Sequence, residues 1–316
     1  MNDPMPELKD RITAWKPVAF LIRVSRKIVL PGFDGLPLYD VAVFFIKGIN
    51  EGFLTSRASA VSFNFFLAIF PTLLFLFTII PFIPITDFQP TLLGFIRDLI
   101  PTSAYETVRE TVEDIVTRHH GGLLSLGFIL SLYFSTNGVN SLIEGFNSTY
   151  HTIETRPWLK QRLISLVLVL IFSFLLVIAI GLMVSGEIVV SILLPESIEK
   201  SGFYVLLIGL LRWTVIVAAI FFAISFLYYL APAKRRHFRF ISAGSSMATL
   251  MIVLTMLGFN WYVDNFSRYN LLYGSIGTLL IVLLWIYFNS FSLLIGFELN
   301  ASILNVKKER KAHTEG

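Results

Sequence analysis

Asn137, Asn140, Ser141 and Glu144 are spaced i, i+3, i+4 and i+7, so a helix would carry all four on one face. A carboxylate among amides and a hydroxyl can hold a proton or a cation, or line a hydrated cavity. The same groups can instead tie helices together by hydrogen bonds, each worth roughly 0.6 kcal/mol inside a membrane. The stripe marks an interior face and leaves those two roles open. Arg57 and Asn64 fall at the start of the first span, and Glu298 borders the last apolar run. Arg57 could pair with either Glu, so Arg57, Asn64, Glu144 and Glu298 form a candidate charged cluster. Arg212 stands apart inside the fourth apolar segment, with Glu187 and Asp264 as candidate partners. A structural ion pair is its first reading, and a contact to a substrate headgroup its second.

Other chemistry is poorly served. The chain has no Cys, which excludes thiolate metal sites and a cysteine nucleophile. Its five His residues are His119, His120, His151, His237 and His313, all in loops or the tail. None forms the clustered His and carboxylate set that a metal-dependent phosphodiesterase needs. His119-His120 beside Asp114 reads as a solvated loop pair before it reads as a metal site. There is no phosphate-cradling nucleotide motif and no Ser–His or other acid–base set in the apolar runs. No catalytic residue, metal or cofactor is expected, and the chain is not expected to be an enzyme.

The elements that must position these residues are plain. Ala58–Thr86, Gly121–Ile143, Leu163–Gly186, Trp213–Ala233, Phe240–Val263 and Tyr269–Phe297 contain no Asp, Glu, Lys or Arg. About 20 apolar residues suffice for a helix to cross a bilayer. Of the 316 residues, 55% are hydrophobic and 15% charged, against about 25% charged in soluble domains. The fold class is all-α: a polytopic six-helix membrane bundle. The spans are placed at about 58–83, 121–144, 163–186, 204–231, 240–262 and 272–300 of one membrane domain, residues 35–306. An amphipathic segment, residues 1–34, precedes it, and a basic tail, residues 307–316, follows. The first forty residues hold no pattern of a cleavable leader, so the first span is expected to act as its own insertion signal.

Charge sets the expected orientation. Nineteen of the twenty-five Lys and Arg residues fall before the first span, in alternate loops and in the tail. Such residues collect on the cytoplasmic side, so both termini are expected there, in a bacterial inner membrane. Anionic lipid headgroups are the expected partners of these basic clusters, and nucleic acid is not needed to explain them. Leu8, Ile12, Trp15, Ala19 and Ile22 recur at helical spacing, and a second amphipathic piece spans roughly Leu38–Phe53. Both are expected to lie at the membrane interface or to pack on cytosolic loops. The long loop of residues 87–120 is expected to form a small helical cap on the outer side. Pro71 should kink the first span or free a carbonyl within it. Gly244 and Ala248, and Gly274 with Gly277, should allow close helix approach. No inverted repeat is evident.

Several stretches carry a resemblance. They are Thr55-Ser-Arg-Ala-Ser-Ala-Val-Ser-Phe-Asn-Phe-Phe-Leu-Ala-Ile-Phe-Pro71, Tyr133-Phe-Ser-Thr-Asn-Gly-Val-Asn-Ser-Leu-Ile-Glu-Gly-Phe-Asn147 and Leu227-Tyr-Tyr-Leu-Ala-Pro232. Tyr273-Gly-Ser-Ile-Gly277, Leu284-Trp-Ile-Tyr and Gly296-Phe-Glu-Leu-Asn300 complete them. In order and spacing, over roughly Gly35 to Val306, these resemble the YihY/BrkB family of bacterial inner-membrane proteins. The resemblance implies a six-helix fold with cytoplasmic termini. The family has been linked to virulence and to transport, envelope lipids among the candidates, and has carried a ribonuclease label that the His inventory above disfavours. The expected function is a transporter or flippase-like exporter of an amphipathic envelope molecule. The alternative is a non-transporting membrane scaffold or assembly factor.

Overall fold

The computed structural model describes residues 23–29, 32–51, 53–79, 81, 121–149, 152–153, 156–193, 202–233, 240–266 and 275–315. The first amphipathic segment and the expected outer cap lie outside these residues. The main helices are α1 (Leu38–Glu51), α2 (Leu54–Ile79), α3 (Gly121–Asn147), α4 (Trp158–Leu193), α5 (Gly202–Leu230), α6 (Ala243–Phe266) and α7 (Ser275–Glu315). A minimal antiparallel ladder, Ser148–Thr149 with Thr152–Ile153, follows α3.

Helices α2 to α7 are each long and apolar enough to cross a membrane. Burial says the same. Within the span of α5 only 11% of residues are enclosed by protein. Phe63, Phe70, Leu170, Phe174, Val177, Leu250 and Leu284 all point outward and are exposed. A soluble protein rarely shows apolar surface on this scale, whereas a bilayer covers it. The protein is an integral membrane protein of the all-α class.

The helices pack in chain order around a ring: α2 on α3, α3 on α4, α4 on α5, α5 on α6, α6 on α7, and α7 back on α2. Helix α7 also reaches α3, and α1 lies along α7. The core is densest towards the end of the bundle that carries the C-terminus. There Phe146 stacks on Phe297 at 4.3 Å between centroids, and Tyr228 meets both rings edge-on at 5.5 and 5.7 Å. Tyr228, fully buried, donates its hydroxyl hydrogen to Leu293 O at 2.6 Å. A buried phenol needs such a partner.

Helices α6 and α7 touch at glycines. A Cβ on Gly296 would stand 2.6 Å from Gly244 O and 2.7 Å from Ala248 Cβ. Gly244 and Ala248 therefore do form a small-residue contact, with α7 as the partner. The same junction holds a helix cap. Ser242 Oγ accepts from Ser245 N at 3.1 Å, and Asn300 Oδ1 accepts from Gly244 N at 2.8 Å. Asn300 Nδ2 donates to Ser242 Oγ at 2.9 Å. The orphan N–H groups at the start of α6 are thus satisfied from α7.

The second amphipathic piece is α1. It packs on the end of α7: its Val41, with Phe33 and Leu36 from the chain just before it, buries against Leu299, Ile303 and Val306. Gly32, Asp34 and Gly35 take left-handed backbone conformations that turn the chain into it. Lys307 bridges Asp34 at 2.7 Å and Arg310 bridges Asp40 at 2.6 Å. Helix α7 continues unbroken through the basic residues of the tail to Glu315.

Candidate functional site

The candidate polar residues fall into two groups of different character. The first is a sealed ion pair. Arg57 lies one turn into α2 and Glu298 lies on α7. Their closest approach, Arg57 Nη2 to Glu298 Oε2, is 3.6 Å, with side-chain exposures of 12% and 0%. That is an ion pair at a separation longer than a good hydrogen bond. Arg57 Nη1 also donates to Gly145 O at 2.7 Å and Ser148 O at 3.0 Å, where α3 ends. A cation at a helix C-terminus satisfies orphan carbonyls and opposes the negative end of the dipole. Gly48 of α1 lies over the carboxylate, and a Cβ at this position would overlap Glu298 Oε1. Of the two partners open to Arg57, the fold selects Glu298.

The second group is a partly exposed polar row between α3 and the first turns of α4, called the furrow below. Asn140 Nδ2 donates to Glu144 Oε1 at 2.7 Å. Gln161 Nε2 donates to Asn140 Oδ1 at 2.8 Å and reaches Glu144 Oε1 at 3.4 Å. Arg162 Nη1 donates to Asn137 Oδ1 in a short hydrogen bond, and Nη2 donates to Tyr133 O at 3.3 Å. The guanidinium lies over the Tyr133 ring, 4.9 Å from its centroid. Glu144 and Tyr133 are exposed, while Asn137, Asn140, Gln161 and Arg162 are half-buried. Ser141 turns the other way and accepts from Asn64 Nδ2 at 2.7 Å, which joins α3 to α2.

The expected single cluster is therefore divided. Glu298 and Arg57 are enclosed beneath α1. Glu144 bonds within the furrow, and Asn64 serves a helix–helix contact. The stripe on α3 is real as a face, and Asn137 and Asn140 meet Arg162 and Gln161 of α4 along it, with Glu144 at its end. Gln161 and Arg162 join these residues from α4, where the spacing along α3 gives no sign of them. Pro157-Trp158 is the overlooked signal: a Pro before an apolar run opens a helix, which puts both residues on the second turn.

Pro71 is buried within α2, which continues on both sides of it. One turn back, Ala68 O accepts from Thr72 Oγ1 at 2.7 Å. Arg212 is exposed on α5. The side chains of its candidate partners, Glu187 and Asp264, are outside the described residues, as are His119, His120, His151 and His237. Among the described residues no group of three His, Asp or Glu side chains is placed to hold a metal.

Comparison with known proteins agrees with this architecture. A family model described as "Virulence factor BrkB" matches residues 45–315. A Bacillus subtilis protein named as ribonuclease-like, YfkH, is 29% identical over 82% of this chain and 93% of its own length. UPF0761 membrane proteins of Aggregatibacter aphrophilus and Haemophilus influenzae are 25% and 24% identical over 86% and 85% of this chain, and 94% and 96% of theirs. No solved structure matches.

Proposed function

This chain belongs to the BrkB virulence-factor family of membrane proteins, and we propose that it moves an amphipathic envelope molecule, a lipid by preference, across the membrane. The observation that carries this reading is the furrow. Tyr133 and Glu144 are eleven residues apart on α3, or about 16 Å along the helix axis. That is roughly half of a ~30 Å hydrocarbon core. Partly exposed polar side chains along such a length of a membrane span are costly in lipid unless they meet protein, water or a polar headgroup. A furrow of amides, one cation and one carboxylate supplies a polar track for a headgroup while the tails stay in the bilayer. Arg162 is the group suited to a phosphate, and Glu144 marks the track's end nearest the termini. The Arg57–Glu298 pair has a different part: it fixes α2, α3, α7 and α1 together near the termini end.

The orientation belongs to the same proposal. With nineteen basic residues on the termini side, that side is cytoplasmic and the membrane is the bacterial inner one. The test is transbilayer movement of headgroup-labelled phospholipids in liposomes holding the purified protein, with Arg162→Ala, Asn137→Leu and Glu144→Gln alongside. Movement above protein-free liposomes, slowed about tenfold or more by Arg162→Ala, a loss of ~1.4 kcal/mol, is the expected result. A wild-type protein no faster than bare liposomes for every lipid tried would reject transport in favour of a scaffold, and three fully active variants would reject the furrow as the track.

A further inference from the structure

A second site lies away from the furrow, between α5 and α6. It is a groove of about 680 Å³ lined by Leu210, Trp213, Val217, Ala218, Phe221 and Phe222 of α5, facing Ser246, Thr249, Leu250 and Val253 of α6. Its volume lies within the ~300–1,000 Å³ of ordinary ligand sites. Small side chains at Ala218 and Thr249 leave the space unfilled. Leu210, Trp213, Phe222 and Leu250 stand exposed along its rims.

The lining chooses its occupant. No charged residue is in it. Its hydroxyls are all turned back onto their own helices: Thr214 Oγ1 donates to Leu210 O at 2.7 Å, Ser246 Oγ to Ser242 O at 3.2 Å and Thr249 Oγ1 to Ser245 O at 2.8 Å. Water or a polar ligand would find few free partners there. Arg212 does not serve the groove, because it is two residues from both Leu210 and Thr214 and so projects from the opposite face of α5. Both helices are long and apolar enough to cross a membrane, and the exposed rim of Leu210, Trp213, Phe222 and Leu250 gives the groove an apolar mouth. From Leu210 to Phe222 the groove follows α5 for about 18 Å, a run suited to an extended chain. Towards the termini end it meets an aromatic block, where Phe240 packs on Phe222, Phe226 and Tyr229 at 6.3, 4.9 and 6.3 Å.

We infer that this groove is a residence site for one acyl chain of a membrane glycerophospholipid. The methyl end abuts the Phe240 block, and the headgroup lies towards the Leu210 and Trp213 end. The site is independent of the transport reading, since it requires binding and no movement.

The probe is a phosphatidylglycerol with a photoreactive diazirine on one acyl chain, incorporated into liposomes with the full-length protein. Adducts are then mapped by peptide mass spectrometry. Adducts should concentrate on 210–222 and 246–253, at about ten times the yield on the lipid face of α2 around Phe63 and Phe70. Ala218→Leu should fill the groove and reduce the α5 and α6 adducts about tenfold, with the α2 adducts unchanged. Thr249→Val, nearly isosteric, serves as the folding control and should keep them. Equal labelling of α2 and α5–α6, or labelling that Ala218→Leu leaves intact in a protein that elutes as wild type does, would overturn the proposal. A misfolded Ala218→Leu protein leaves the wild-type comparison with α2 to decide. Labelled grooves in a protein that moves no lipid would reject the transport reading alone.

Discussion

At the scale of single residues, Arg57 and Glu298 are unequal members of their pair. Arg57 holds Glu298 and also satisfies Gly145 O and Ser148 O at the end of α3. Arg57→Met would strand an enclosed carboxylate and two carbonyls together. Removing one partner of a buried pair typically costs ~3–5 kcal/mol. Glu298→Gln keeps the shape, removes the buried anion and leaves Arg57 its carbonyls. Thermal unfolding in detergent should therefore rank Arg57→Met well below Glu298→Gln, and the reverse order would refute the dual role of Arg57. Gly48 is fixed by the same carboxylate. Gly48→Ala drives a methyl into Glu298 Oε1 and should cost about 1–3 kcal/mol by overpacking. In a Glu298→Ala background the space reopens, so the cost should largely vanish. A double-mutant cycle with no coupling between the two positions would show that the contact is not the reason for the glycine.

At the scale of elements, the junction of α6 and α7 makes the sharpest prediction. A Cβ at Gly296 meets backbone oxygen, the Tyr228 hydroxyl and Ala248 at once, none of them the end of a flexible chain. Gly296→Val should cost about 3 kcal/mol or more and deplete folded protein in the membrane. Asn300→Ala removes only the cap on α6 and should cost about 1 kcal/mol. If both proteins accumulate and melt alike, the junction is looser than drawn. These elements differ in how openly the sequence announced them. The six spans were legible because hydropathy over twenty residues needs no knowledge of partners. The small residues Gly244 and Ala248 were legible as a contact, but not their partner Gly296. The α3 stripe was legible as a face because Asn137, Asn140 and Glu144 repeat at helical spacing. Which neighbour that face meets was not, since it depends on Gln161 and Arg162 arriving from the next helix. Likewise Arg57 had two candidate acids. Only the packing of α7 on α2, a contact between residues 241 positions apart, selected Glu298.

At the scale of the whole molecule, α7 is the organising element. Its 41 residues reach about 60 Å, twice a ~30 Å hydrocarbon core, so a long part of it projects beyond the bilayer. Helix α1 docks on the projecting end, chiefly through apolar burial. The bridges Lys307–Asp34 and Arg310–Asp40 are partly exposed and each worth about 0–1 kcal/mol. Those bridges also put the residues before the first span on the same side as the C-terminal end, as an even number of spans requires. The side itself is part of the proposal and rests on charge: the proposed orientation avoids moving the Lys and Arg of this end across the membrane. The absence of Cys makes the test direct. Gly122 is exposed at the far end of α3, and Lys308 is exposed at the termini end of α7. In intact bacteria a membrane-impermeant maleimide should label Gly122→Cys, and should label Lys308→Cys only after permeabilisation. Labelling of Lys308→Cys in intact cells with protection of Gly122→Cys would invert the orientation. The furrow's Glu144 end would then lie towards the outer side, and the proposed orientation would fall.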